Sequence, residues 1–325
     1  MVDLTHSLDG QPVMGAQLSD LDMALVQRHI KAARERDRLR GPTDPEDFLR
    51  HARAAVMVKG ELVPTLAGIL MFADDPGEWI PAAGVDVAQF KGSASRSTDI
   101  RFLEQVRGPL PAVVEQTVQI LWDRTDHGYR LEPAQRVEEH AFPRVVLREL
   151  TVNALFHRDW GLTGSRVRVS VHPEAIIWTS PGELPPGIRI EDLLVIQHAR
   201  NPILVQLAFE AGLIEGLGLG LDTVFDALRA NGSPPPELRS AARMFTVRVV
   251  GREITVRTRV TDTQEDRQAA LIELLREQGP LSIGDLAVLL GRNRRTLQRD
   301  LRALLDGGQV EATGETNNRR YRLRR

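Results

Sequence analysis

Residues 165–182, SRVRVSVHPEAIIWTSPG, alternate apolar and polar side chains on either side of His172-Pro173-Glu174. Successive side chains of a strand point to opposite faces, so this period of two fits a hairpin turning at those three residues and fits no amphipathic helix. The stretch just before it has the other period. From Phe142 to Trp160 the spacing predicts a helix, with Val146, Leu147, Leu150, Ala154 and Leu155 able to pack inward. Interleaving of hairpins with amphipathic helices makes the fold class α+β.

The rest of the chain divides on the same signals. The first dozen or so residues read as a leader, and 1–18 is expected to be flexible. A helix is predicted over 19–39, capped by Ser19 or Asp20 and stopped at Gly41-Pro42, and a second over 45–55. LVPTLAGILMFADDP predicts a short apolar helix and AGVDVAQFKG a strand. Residues 98–125 read as helical with a break at Pro109 and Pro111, and 190–230 as mostly helical. MFTVRVVGREITVRTRV predicts a strand pair about Gly251, and Thr261 to Gln264 a polar hinge.

No apolar run approaches the length of a membrane span, there is no secretory leader pattern, and there are no cysteines. Disulfides and thiolate chemistry are therefore excluded, and a cytoplasmic location is expected, on the nucleoid if DNA is the partner. From Gln264 onward there are 12 Arg and 9 acidic residues, a net of +3, whereas the preceding residues sum to −5. A basic tail on an acidic body suggests that the tail meets nucleic acid.

Within RELTVNALFHRDW, Glu149, Asn153 and His157 are spaced to share one helix face. Such a stripe is either a solvated polar face or a site where a carboxylate orients water and an amide oxygen ligates Mg²⁺. The second reading gains from two stretches downstream. Glu215-Gly216-Leu217-Gly218-Leu219-Gly220 places glycines at every second position ahead of a helix, where backbone N–H groups can approach a phosphate. Thr179-Ser180-Pro181-Gly182 lies between it and the polar stripe, after a strand.

His157-Arg158-Asp159 is not a protein-kinase catalytic loop, because Gly164 stands where the metal-binding Asn would be, and no P-loop helicase motif occurs. His157 reads as a structural residue or a phosphate contact, and Arg158 with Asp159 as a local ion pair. Asn201 is expected to cap a helix that starts at Pro202.

Helix, strand-to-glycine turn and Gly-rich loop stand in the order of the N, G1 and G2 boxes of GHKL ATPases. The block resembles the C-terminal ATPase-like domain of RecG-like, or Schlafen-AlbA-associated, bacterial regulators. RELTVNALFHRDW, GSRVRVSVHPEAIIWTSPGELPPGI, ARNPILVQLAFEAGLIEGLGLGLDTV and the FTVRV strand carry the likeness, which extends over roughly 20–250. It implies a GHKL-like α/β sandwich over 126–260, preceded at 19–125 by an α/β segment that adjoins an AlbA-type DNA-binding domain in the relatives. The complete AlbA-type domain is expected to be lacking here, either because the chain is part of a longer one or because it relies on its C-terminal unit for DNA.

The likeness also implies site residues. Glu149 matches the water-orienting acid and Asn153 the Mg²⁺ ligand. Gly182 matches the first glycine box, and Gly216, Gly218 and Gly220 the phosphate loop, with ATP and Mg²⁺ as cofactors. Two departures stand out: Ser180 where GHKL ATPases place the adenine-binding Asp, and no convincing lid lysine.

Residues 264–325 read as three helices followed by a two-stranded wing. Ala270, Leu271, Leu274 and Leu275 form the buried stripe of the first helix, Leu286, Ala287 and Leu290 that of the second, and Leu297, Leu301 and Leu304 that of the third. This is similar to winged helix-turn-helix domains of the DeoR kind. Arg292, Arg294, Arg295, Thr296, Gln298, Arg299 and Arg302 would then face duplex DNA from the recognition helix, with Arg319, Arg320 and Arg322 in the wing. A winged helix used only for protein contacts is the bland alternative. The reading that unites these features is a DNA-binding, homodimeric transcription regulator with a nucleotide-sensing domain and at most weak ATPase activity. Its rivals are a Mg²⁺-dependent ATPase of DNA repair or defence, and a scaffold with a degenerate nucleotide site.

Overall fold

A computed structural model describes residues 7–93, 99–132, 135–196, 198–214, 220–254, 257–258, 264–290, 294–314 and 319–324. In chain order the main elements are α1 (Met23–Glu35), α2 (Pro45–His51), β1 (Ala55–Val58), β2 (Glu61–Pro64), α3 (Leu66–Phe72), β3 (Val85–Phe90), β4 (Ile100–Val106) and α4 (Leu110–Arg124). There follow β5 (His127–Glu132), β6 (Gln135–His140), α5 (Arg144–Phe156), β7 (Val167–Val171), β8 (Ala175–Pro181), α6 (Pro202–Glu210), α7 (Gly220–Asn231), β9 (Glu237–Ala241) and β10 (Met244–Val250). The last are β11 (Arg257–Thr258), α8 (Gln264–Gln278), β12 (Leu281–Ser282), α9 (Ile283–Leu289), α10 (Arg294–Asp306), β13 (Val310–Thr313) and β14 (Arg320–Leu323). The chain divides into one unit of Met1–Arg124 with Phe142–Arg252, and another of Thr125–Ala141 with Glu253–Arg325.

The predicted hairpin is β7–β8, in register from Arg168 opposite Thr179 to Val171 opposite Ile176, and the His172 N–H closes its turn on the Ala175 carbonyl at 2.8 Å. It forms the middle of a six-stranded mixed sheet of order β4-β3-β7-β8-β10-β9, in which only β3 and β7 run parallel. Helix α4 packs on β3 and β4, α5 on β8, and α7 on α5, a helical layer over a sheet. Trp178, 1% exposed, pins the layers by donating its Nε1–H to Thr151 Oγ at 3.1 Å. All five residues expected to face inward on α5 are buried. The mixed α+β class therefore holds.

Several boundaries differ from expectation. Residues 98–125 are not all helical: 100–106 form edge strand β4, whose Leu103 is 64% exposed, so the strand lacks the apolar alternation that would announce it. Because β3 and β4 lie in the same sheet as β7, the linking segment and the sandwich expected as separate domains share one unit. Among the described residues no strand pair forms about Gly251. The hairpin partner of β10 is β9, and the turn between them puts the non-glycine residues Ala242 and Arg243 at φ 54° and 60°.

Helix α1 is shorter than 19–39 and is capped by Asp22, which accepts from the Ala24 N–H at 2.7 Å. The leader is not free from Ser7 onward. Val13 and the Pro64 carbonyl are hydrogen-bonded at 2.9 Å, Pro12 bridges Thr65, and Asp9 is fully buried.

In the second unit, β5, β6 and β11 form one antiparallel sheet and β12, β14 and β13 another. Three helices and a terminal hairpin stand in the predicted order. Leu271, Leu275, Leu286, Leu290, Leu297, Leu301 and Leu304 form its core with Val310 and Tyr321, while Ala270, Leu274 and Ala287 pack at the edge. Ser282 and Asp285 make a reciprocal capping box at the start of α9. One buried charge has no herald in the sequence. Asp300, fully buried on α10, accepts from Arg267 of α8 at 2.7 and 3.2 Å and ties the first helix to the third. Among the described residues no helix is long and apolar enough to cross a membrane.

Candidate functional site

Helices α5 and α7 bring the expected residues Glu149, Asn153 and Gly220 together. A Cβ on Gly220 would lie 2.9 Å from Glu149 Oε2 and 3.8–3.9 Å from the Asn153 amide atoms, so the start of α7 rests directly on the polar stripe of α5. Glu149 is only 6% exposed, which makes it a buried carboxylate facing a helix N-terminus and not part of a solvated surface. Its carboxylate and the Asn153 amide offer the oxygen donors that Mg²⁺ takes alongside water and phosphate, so these residues fit that ion. Gly216 and Gly218, in the stretch just before α7, lie outside the described residues.

The stripe ends at Asn153. His157 is not on the helix but at its C-cap, with φ −103° and ψ 2°. Desolvation of its ring, then the neighbouring His198 and Arg200 side chains, lower its pKa.

Arg158 does not form the expected ion pair with Asp159. It is fully buried and donates to the carbonyls of Ala82, Leu162 and Ser165 at 2.9, 2.6 and 3.0 Å, with its guanidinium 4.4 Å from the Trp160 ring. Burial pulls its pKa down to about 10, against the opposing pull of Asp159. The carboxylate of Asp159 instead meets Arg200 at 3.1 Å.

Gly182 has Asp159 and Arg200 as its nearest neighbours. Its φ of +117° favours glycine, and a Cβ there would press on Asp159 Cβ at 2.8 Å. It borders a cleft of about 390 Å³, lined with Asp159, His198, Arg200 and Arg243 among others, that sequence reasoning missed. No local signal marks this cleft, because its residues come from four separate segments. Ser180, at the position of the GHKL adenine-binding Asp, is buried with its hydroxyl donating to the Ala154 carbonyl at 2.7 Å. Asn201 stands at the N-cap of α6 but does not cap it, since its side-chain N–H groups go to the Phe156 and Arg158 carbonyls at 2.9 Å each. Asp9 supplies the cap, accepting from the Ile203 and Leu204 N–H groups at 2.8 and 3.0 Å.

In the second unit Gln298, Arg299 and Arg302 are exposed on α10, Thr296 is half-buried, and Arg319, Arg320 and Arg322 are exposed at the hairpin. Arg294 and Arg295 open α10, but their side chains, and Arg292 altogether, lie outside the described residues. All three hairpin arginines have protein partners, the Arg319 guanidinium lying 5.6 Å from the Tyr321 ring. Arg322 pairs with Glu311 at 2.6 Å, and Arg320 donates to the Pro280 carbonyl at 3.3 Å.

Residues 164–249 match the family described as "Putative ATP-dependent DNA helicase recG C-terminal", which supports an ATPase-like domain of the GHKL type. Residues 265–324 match a family known as HVO_A0114. None of the curated proteins matches the chain. Among solved structures, the DIP2311 protein from Corynebacterium diphtheriae is similar in fold, with a TM-score of 0.58 and 19% identity over 98% of this chain and 70% of its own.

Proposed function

We propose that the protein is a DNA-binding transcription regulator whose first unit senses a Mg²⁺-bound nucleotide, ATP by its likeness to GHKL domains. The observation that carries the nucleotide half is the junction of Glu149, Asn153 and Gly220. Asn153 would hold the metal, Glu149 would orient water toward the terminal phosphate, and the start of α7 would receive the phosphates on its N–H groups. Bound Mg²⁺ supplies Lewis-acid stabilisation of phosphate charge. Gly216, Gly218 and the Gly182 turn belong to the same proposed site. A scaffold without nucleotide is the second reading, favoured by Ser180, whose hydroxyl is already committed to Ala154.

The DNA half rests on the second unit, read as a winged helix-turn-helix. From Gln264 onward its net charge is +3, Gln298, Arg299 and Arg302 are exposed on the third helix, and Arg292, Arg294 and Arg295 stand at or just before that helix's start. Thr296, Arg319, Arg320 and Arg322 complete the proposed contact. A single such unit reads few base pairs, so a homodimer on paired half-sites is part of the proposal, as is residence on the nucleoid.

The test compares the full chain with a version ending at Thr261, titrated with genomic DNA fragments at two salt concentrations. Binding should be lost on truncation, and equal binding by the two would sink the DNA half. In parallel, Asn153→Ala should weaken Mg²⁺-dependent ATP binding, and unchanged affinity would sink the site assignment.

A further inference from the structure

Helix α6 is held at both ends by residues far away in sequence. At its start Pro202 has no N–H, and the next two N–H groups both go to Asp9, across 194 and 195 positions. Asp9 is fully buried and its second carboxylate oxygen has no hydrogen-bond partner. A buried carboxylate in that state is stabilised by the positive end of the helix it caps.

At the other end, Arg38 donates from Nη1 to the carbonyls of Phe209 and Ile214 at 3.2 and 2.9 Å, and its guanidinium lies 4.7 Å from the Phe209 ring. Arg148 of α5 donates to the Gly212 carbonyl. Between these anchors the buried Glu210 meets His29 of α1 at 3.2 Å. The segments that α6 joins give these contacts their meaning. The one carrying His198 and Arg200 precedes it, and the Gly-rich stretch begins directly after Ile214.

We propose that Asp9 and Arg38 are positioning residues: by clamping α6 from the N-terminal part of the chain, they set the placement of the segment before it that carries His198 and Arg200 and of the turn after it through Ile214, and, through the Arg148 contact to Gly212, the Glu149 junction of the candidate nucleotide site. The second clause rests on the nucleotide reading; the first does not. A clamp of this kind makes the site responsive to whatever pulls on residues 7–38. No sequence motif would report it, because Asp9 and Arg38 lie outside the stretches that carry the likeness to GHKL proteins.

The test is hydrogen exchange on the full chain, with and without Mg²⁺ and ATP, for Asp9→Ala, Asp9→Asn, Arg38→Ala, Arg38→Lys and Leu49→Ala. Leu49 is fully buried on α2, which packs on α1 and β1, so its truncation destabilises the unit without removing either anchor. Loss of a cap or of a paired carbonyl contact should speed exchange across 198–214 by about tenfold and weaken ATP binding by a similar factor. Asp9→Asn, which keeps an acceptor oxygen, should lose less than Asp9→Ala. Arg38→Lys should fall between, since an ammonium cannot both span two carbonyls and stack. Leu49→Ala should lower the melting temperature yet leave both readouts near wild type. The clamp is overturned if Leu49→Ala loosens 198–214 as much as the anchor variants do, or if those variants change only the melting temperature. A wild-type chain that binds no ATP refutes the nucleotide reading alone, because the exchange comparison needs no ligand and still decides the clamp.

Discussion

Replacing Gly220 by alanine should separate folding from ligand binding. The position opens α7 and its φ is not left-handed, so a methyl group is tolerated by the backbone and gains helix propensity, at most about 1 kcal/mol. Against that gain, the new Cβ would lie 2.9 Å from Glu149 Oε2. Ordinary contact requires the carboxylate to retreat by about half an ångström. Glu149 is buried, so the retreat pushes its side chain toward a poorer rotamer, at about 0.5–1.5 kcal/mol. The two effects nearly cancel, and the melting temperature should move by no more than about 2–4 °C.

The site has no such compensation. An ångström of misplacement can cost about a hundredfold, so half of that should weaken Mg²⁺-dependent ATP binding by about tenfold. The assay is thermal unfolding with and without Mg²⁺ and ATP, together with a direct titration. A variant that binds as tightly as wild type refutes the placement of Gly220 at the site. A fall of about 10 °C or more would mean that Glu149 is chiefly structural, since a loss that large exceeds any rotamer strain.

Three further outcomes are expected. Asp300→Ala should lower the unfolding temperature of the C-terminal unit, because Arg267 loses its buried acceptor; an unchanged unfolding temperature would deny the bridge that role. Arg158→Lys should destabilise the first unit by about 2–3 kcal/mol, since one ammonium cannot serve carbonyls on three residues; wild-type stability in denaturant titrations would show that the network is dispensable. On DNA, Arg299→Ala and Arg302→Ala should each reduce the salt slope by about one, and Arg322→Ala by less because Glu311 already holds its charge; equal effects at all three would contradict that ranking.

The sequence makes legible whatever is local and periodic. The β7–β8 hairpin and the inward face of α5 follow from side-chain alternation, and helical spacing places the leucines of the C-terminal unit one by one. Where the chain breaks those rules, prediction fails for physical reasons. Strand β4 lies at a sheet edge with its face open to solvent, so nothing selects apolar residues at every second position. The β9–β10 turn uses Ala242 and Arg243 where a glycine or asparagine would have marked it. Asp9 cannot be recognised as the cap of α6, because the partners are brought together only by the finished fold. At the candidate site, motif order points to Glu149, Asn153 and Gly220, but the Asp159–Arg200 pair and the cleft beside Gly182 depend on contacts that have no sequence period.

The second unit is not contiguous: its β5–β6 hairpin is contributed by Thr125–Ala141, while the remainder comes from Glu253 onward. The polypeptide therefore passes between the units three times. No single crossover in a gene could graft this unit intact onto another protein, and no single protease cut could release it whole. A cut near residue 261 detaches the three helices and leaves a hairpin behind with its β11 partner strand. For exchange of modules among related proteins, the heritable cassette would have to be the two units together.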